Sequence, residues 1–394
     1  MKGLRKYLTP FAPDQSGAVS MCYALGGMVV IVDAGGCAGN ICGFDEPRWQ
    51  PDYLREMEGA GGSDPRVEAV FSAGLRDMDA ILGRDDLLVK KLADASKKID
   101  VKFIALVGTP VPAVIGTDLE ADERMAEKAT GLPCISISTD GMHLYDRGIE
   151  EALLSLVKRF SGEQPKTAPG SRICGVLGLN PLDLFDPAWT RAIRSSLTDI
   201  GYEEVLLYGM EGGLDALKRI HLAERNYVVS PAGIAAAKYM EERFRIPWEV
   251  SFPADPMIIL DENACDEASE YGSDTDILVV HQQVLSGAVR GSLEKAGVKG
   301  RITCATWFDY KQELAREGDV RLREEDDFMD LVRRKKWDLI IADPVLKPMA
   351  GQYGGKWIDA YHFAVSGQAA IDRSRMSGTK KNSRETEKVE VWRI

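Results

Sequence analysis

Short apolar runs rich in Val, Ile and Leu alternate along the chain with longer stretches of helical spacing. The runs predict strands at 28–32, 101–107, 134–138, 172–179, 204–208, 227–230, 276–280 and 338–342. Helical periodicity falls between them, at 87–98, 120–130, 149–160, 188–200, 234–244, 285–296 and 325–334. Such alternation builds βαβ units, with parallel strands buried under helices on both faces. The expected class is therefore α/β. Ligands of such sheets sit beyond the carboxyl ends of the strands, in the loops.

Two breaks divide this pattern. SGEQPKTAPGS, at 161–171, reads as a linker between a helix and a new strand. A second irregular stretch, 251–276, begins with Pro253 and Pro256 and closes on the acidic run DENACDEASEYGSDTD. Three Rossmann-like units are expected, at 1–165, 170–255 and 270–372. The tail, 373–394, is polar and charged until KVEVWRI, which alternates like a strand.

Charge narrows the class of partner. Lys and Arg number 49 against 61 Asp and Glu, a formal net charge of −12. An acidic surface argues against nucleic acid or an anionic membrane, both of which attract basic faces. No stretch approaches the roughly 18 apolar residues of a membrane span. MKGLRKYLTPFAPD lacks the apolar core of a secretory signal, so a cytoplasmic location is expected.

The cysteines carry the candidate chemistry. The seven are Cys22, Cys37, Cys42, Cys134, Cys174, Cys265 and Cys304, an odd count that does not suit a disulfide framework. Cys134 and Cys174 lie in strand-like runs and read as small buried hydrophobes. Cys22, Cys37 and Cys42 crowd instead into one 21-residue segment. Two of them stand in VVIVDAGGCAGNICGFDEPRW, a glycine-rich loop following a strand. Thiolates hold iron–sulfur clusters, and glycines such as Gly36 let backbone N–H groups approach an inorganic body. Cys22, on a helix feeding the same strand, is placed to meet Cys37 at one point. A plain reading stays open: Cys22 packed in a helix core and Cys37 a small residue in a tight turn. Asp33, Asp45, Glu46 and Arg48 share the loop, as an oxygen ligand, a partner contact or a solvated rim.

Other signatures are missing. GGCAGNICG has glycines but not the dinucleotide spacing, and AGQYGGKW, at 350–357, is one residue short of a phosphate loop. Trp357 stands there in place of the Ser or Thr that holds magnesium. The four histidines, His143, His221, His281 and His362, are scattered, and His221 and His281 read as structural.

Several segments, in order along nearly the whole chain, resemble the nitrogenase component 1 family. They are the early Cys22, the Gly36–Cys37 turn, FSAGLRDMDAILGRDDLL, TPVPAVIGTDLE, GLPCISISTDGM and AERNYVVSPAGIAAAKYMEERFRIPW. That family comprises nitrogenase catalytic proteins, their cofactor-assembly homologues, protochlorophyllide and chlorin reductases, and the reductase of coenzyme F430 biosynthesis. The resemblance implies three Rossmann-like units around a central cleft, in a homodimer or a heterodimer with a paralogous chain. It also implies an interfacial iron–sulfur cluster, a [4Fe–4S] shared between two chains. Cys22 and Cys37 would be its metal ligands, with Cys42 either a third ligand or a free thiol. Electrons would come from a separate ATP-dependent iron protein and pass to a small-molecule or tetrapyrrole substrate. A non-catalytic scaffold carrying a metallocluster or tetrapyrrole is the alternative it implies.

The departures point away from dinitrogen as substrate. With Gly116 matched to the family's glycine, the third cluster cysteine falls on Pro110. The cysteine that anchors the large cofactor falls near Val229–Ser230, while His362 lies roughly at the family's cofactor histidine. His362 and Gly36 are accordingly the expected cofactor contacts.

Overall fold

The computed structural model describes residues 5–8, 10–38, 41, 69–76, 85–162, 172–260, 272 and 274–367. Strands β1 (Gly27–Ile31), β2 (Val70–Ser72), β3 (Phe103–Val107) and β4 (Cys134–Ile137) make a parallel sheet in the order β2-β1-β3-β4. Strands β5 (Ile173–Leu177), β6 (Glu204–Leu207), β7 (Arg225–Val228) and β8 (Trp248–Val250) repeat that order as β6-β5-β7-β8. The third sheet joins β9 (Asp276–Val280), β10 (Arg301–Thr306), β11 (Val320–Arg321), β12 (Leu339–Ala342) and β13 (Lys356–Asp359). Its order, β11-β10-β9-β12-β13, is doubly wound, with strand order reversing between β9 and β12. In the other sheets the reversals lie between β1 and β3 and between β5 and β7.

The helices that cover these sheets include α1 (Asp14–Ala24), α2 (Asp85–Ala95), α3 (Pro110–Ile115), α4 (Leu119–Thr130) and α5 (Tyr145–Phe160). They continue with α6 (Ala188–Asp199), α7 (Gly213–Lys218), α8 (Ile234–Phe244), α9 (Gln283–Lys295) and α10 (Glu325–Arg334). Helix α5 is the central beam. Its buried positions Tyr145, Ile149, Ala152, Leu153, Leu156 and Val157 recur at helical spacing, and it packs on α1, β4 and the second unit's α8. Contact with α1 is close because two glycines face backbone: a Cβ on Gly17 would strike the Tyr145 carbonyl, and one on Gly148 the Asp14 carbonyl. The largest core cluster draws buried side chains from all three units.

The chain's start ties the first unit to the third. Glu325, at the beginning of α10, accepts the backbone N–H groups of Lys6 (2.6 Å), Tyr7 (3.0 Å) and Leu8 (3.2 Å). Phe11 then packs against Trp307 and Phe308.

Sequence periodicity placed β9 at its observed bounds but missed β2, β8, β10, β11 and β13. Arg301 and the threonines of RITCAT mask β10, and KWID of β13 alternates too briefly to register. The glycine-rich 350–357 stretch runs into β13, where Lys356 pairs with Leu339. That lysine lies in a strand, so the stretch is not a phosphate loop. Among the described residues, no helix is long and apolar enough to cross a membrane.

Candidate functional site

Cys37 lies past the carboxyl end of β1, at the strand-order reversal of the first sheet, where the backbone must part. Asp33 organises the turn. Its Oδ2 accepts the Ala38 N–H (2.8 Å) and its Oδ1 the Ser72 hydroxyl (2.6 Å), and the residue is wholly buried. It is therefore a structural acceptor, neither a metal ligand nor part of a solvated rim. Gly35 takes a left-handed φ of 111°, and a Cβ added to Gly35 or Gly36 would meet none of the described residues within 4 Å. From the β3 side, the Thr109 hydroxyl donates to the Val32 carbonyl (2.8 Å), pinning the two strand ends together.

The Cys37 thiol is partly exposed, with the Thr109 and Gln15 side chains beside it. Burial pushes its pKa up, with the Asp33 carboxylate adding to the rise against the opposing effect of those two side chains. Gln15 is itself buried, and its Oε1 has no partner among the described residues. Pro110, where the resemblance expected a further cysteine, begins α3 beside Thr109. Val111, Val114 and Ile115 of that helix are exposed, as is Met142.

Cys22 is elsewhere. Helix α1 runs back along β1, so its first residues, not its last, reach the Cys37 end. Cys22 lies seven residues beyond Gln15, about 10 Å along a helix rising 1.5 Å per residue. It is fully buried in the core, where desolvation raises its pKa strongly. The structure thus sets Gln15 and Thr109 beside Cys37, and does not bring Cys22 there. Cys42, Asp45, Glu46, Arg48 and the C-terminal tail lie outside the described residues.

A second constellation forms where the three units meet. Asp183 follows β5, His281 follows β9, Asp343 follows β12 and His362 follows β13, while Tyr145 opens α5 of the first unit. Tyr145 donates its hydroxyl proton to Asp183 Oδ1, and His362 Nε2 lies 3.1 Å from that oxygen and 2.9 Å from the Tyr145 hydroxyl. Asn180 holds the other carboxylate oxygen through its Nδ2 (2.8 Å), and Asp343 accepts the His362 backbone N–H (2.8 Å). Tyr145, Asp183, His281, Asp343 and His362 are all buried.

Their protonation follows from these contacts. Burial opposes the Asp183 charge, yet the hydrogen bond and charge of His362, then Tyr145, hold its carboxyl below the usual range. Burial, followed by the Asp183 and Asp146 charges, drives the Tyr145 phenol well above its ordinary value. Asp146, bonded to the Asp309 N–H, is pushed up to about 6, chiefly by burial. Among the described residues this junction is a hydrogen-bonded knot of buried side chains. Sequence reasoning missed Tyr145 and Asp183 and took His281 as structural. Their one sequence signal is position just past strand ends, or at a helix start for Tyr145.

Asp14, Asp140 and His143 also bring one donor atom each within 4.8 Å of one another, a set that suits a divalent cation. Both Asp14 oxygens already accept backbone N–H groups, from Gln15, Gly141 and Asp140, so the carboxylate serves to brace the turn before α5.

Comparison with known proteins agrees with this fold. Residues 51–257, just over half of the chain, match the model of the nitrogenase component 1 type oxidoreductase family. The chain is 27% identical over 209 residues to the nitrogenase iron-molybdenum cofactor biosynthesis protein NifE of Klebsiella pneumoniae, covering 49% of this chain and 44% of that protein. It is 22% identical over 194 residues to the nitrogenase molybdenum-iron protein alpha chain of Methanosarcina barkeri, covering 48% and 35%. A light-independent protochlorophyllide reductase component of Chlorobium luteolum is 25% identical over 209 residues, covering 51% and 38%. The match therefore spans less than half the length of these relatives. Among solved structures, a nitrogenase Cp1 chain at pH 6.5 superposes with a TM-score of 0.64 over 100% of this chain and 98% of its own, at 13% identity. That likeness is one of fold.

Proposed function

The chain belongs to the nitrogenase component 1 type oxidoreductase family, and from that premise we propose that it is the electron-accepting subunit of a nitrogenase-like reductase. The observation that carries the reading is Cys37. It presents a partly exposed thiol on a glycine turn, beside Gln15, whose Oε1 has no partner among the described residues. A ligand from one chain, at a surface ready to be covered, suits a centre shared by two chains, identical or paralogous.

The residues fit such a centre in part. Cys37 of each chain would hold it, joined by Cys42 of the same loop. Cys22 is left out of this proposal, because the core encloses it away from the Cys37 turn. When bound, an iron–sulfur cluster supplies one-electron storage, charged by a separate ATP-dependent iron protein. Around it, Asp33 fixes the turn, Thr109 clamps the strand ends, and α3 offers the apolar rim that excludes water. The substrate is a small organic molecule rather than dinitrogen. At the positions matched to the family's cofactor cysteine, the Val229 carbonyl accepts Gln282 Nε2 and the Ser230 hydroxyl caps a turn.

A scaffold that carries a cofactor without turnover is the second reading, favoured by the closed junction around His362. Anaerobic iron analysis with EPR of the dithionite-reduced protein tests the first. About four irons per dimer are expected for one shared cube. Iron should fall in Cys37→Ala and Cys42→Ala and persist in Cys22→Ala. Colourless, iron-free protein after anaerobic reconstitution would overturn the proposal. Reduction by an iron protein without turnover of any organic acceptor would favour the scaffold.

A further inference from the structure

A trough of about 670 Å³ runs between the second and third units, away from both Cys37 and the buried junction. Its floor is one face of α9. Gly287 and Gly291, four residues apart, stand on the same side of that helix, and a Cβ on either would meet none of the described residues within 4 Å. A flat body can therefore lie against the bare helix. Tyr227 and Phe252 of the second unit form an apolar flank, and Trp189 backs Phe252 edge to face at 5.6 Å.

The charges are uneven. On the third-unit side are Arg290, Lys295 and Arg316. Arg316 is spent on Glu294 (2.6 Å), while Arg290 pairs with Asp319 through Nη1 (2.7 Å) and leaves its buried Nε without a partner among the described residues. Lys295 stands exposed at the rim. Of the facing acids, Glu249 pairs with Arg225 (2.9 Å), while Asp255 accepts the Met257 N–H (3.0 Å) and keeps its negative charge. A single negative charge is favoured at the Lys295 end. A phosphate dianion is disfavoured by the carboxylates opposite.

We propose that this trough binds a flat organic monocarboxylate, its ring lying on the Gly287–Gly291 face of α9 and its carboxylate directed to Lys295. The volume lies within the range of small-molecule sites, and the shared core of the second and third units holds both walls in place.

The probe is 2-naphthoate, titrated calorimetrically into the full-length, metal-free chain, with neutral 2-naphthamide as its control. Binding is thereby measured apart from iron content, and its failure is distinct from failure of the redox reading. One saturable site is expected, with naphthoate about fivefold tighter than naphthamide, as one rim charge contributes. Lys295→Gln should abolish that preference. Gly291→Leu fills the trough, and should abolish binding of both compounds without lowering the melting temperature, because leucine is the better helix former. Absence of saturable binding up to millimolar concentration, equal affinity for the two compounds, or undiminished binding by folded Gly291→Leu would overturn the proposal.

Discussion

His281 and His362 stack face to face, with ring centroids 4.1 Å apart and planes inclined by 10°. They come from the ends of β9 and β13, and His362 is the one anchored to a carboxylate, that of Asp183. His281 instead accepts the Gln282 N–H at Nδ1 (2.8 Å) and reaches the Tyr361 carbonyl with Nε2 (3.3 Å), as a neutral ring does. Burial, and then the neighbouring His362 charge, lowers the His281 pKa to about 3.

Acid should therefore loosen the junction. Between pH 6.5 and about 3 the unfolded state protonates His281 while the folded state does not. More protons on the unfolded side mean that stability falls as pH drops through that window, by up to about 1.4 kcal/mol per unit for one such group. Asp183, held below its ordinary value in the fold, adds loss in the same direction as pH falls past the usual carboxylate range. Urea titrations from pH 7 to 4 should show this slope. His281→Gln should flatten it, and an unchanged slope would refute the assignment.

Glu325 should act as a clasp. Glu325→Ala removes three acceptor contacts to the N-terminal backbone and should cost about 1.5–3 kcal/mol, the range for hydrogen bonds to a charged group. Hydrogen exchange at Lys6, Tyr7 and Leu8 should rise first, with Glu325→Gln retaining part of the protection.

Gly148 should tolerate no side chain. Gly148→Ala drives a methyl into the Asp14 carbonyl across the α1–α5 contact, an overpacking that costs about 3 kcal/mol. Gly287→Ala, facing open space, is the matched control and should melt at or above the parent temperature. A Gly148→Ala melt equal to the parent would show that the two helices yield.

Native alkylation should separate the cysteines. Iodoacetamide should modify Cys37 slowly at neutral pH, because its thiol pKa is raised, and faster as pH climbs. Cys22, Cys134, Cys174 and Cys304, all buried, should react only on unfolding. Mass spectrometry of digested, labelled protein reads this directly.

How far the sequence reached depends on the range of the interaction. β9 is a continuous apolar run that both faces of a buried sheet demand, so composition alone reveals it. Cys37 was visible because glycines and a thiol after a strand are local signals. What escaped was the pairing of distant groups. Nothing near Asp183 in the chain announces that Tyr145 and His362 will share its oxygen, and nothing near Cys22 tells which end of α1 faces the crevice.

By itself the sequence determined the alternating α/β pattern, the acidic surface and the glycine–cysteine turn, since each is written in neighbouring residues. Only the tertiary structure decided that Cys22 belongs to the core, that the three-unit junction closes on its own side chains, and that α9 leaves a bare face toward the second unit. Those outcomes depend on how strand ends converge after folding, a geometry set by packing between units that no local run of residues encodes.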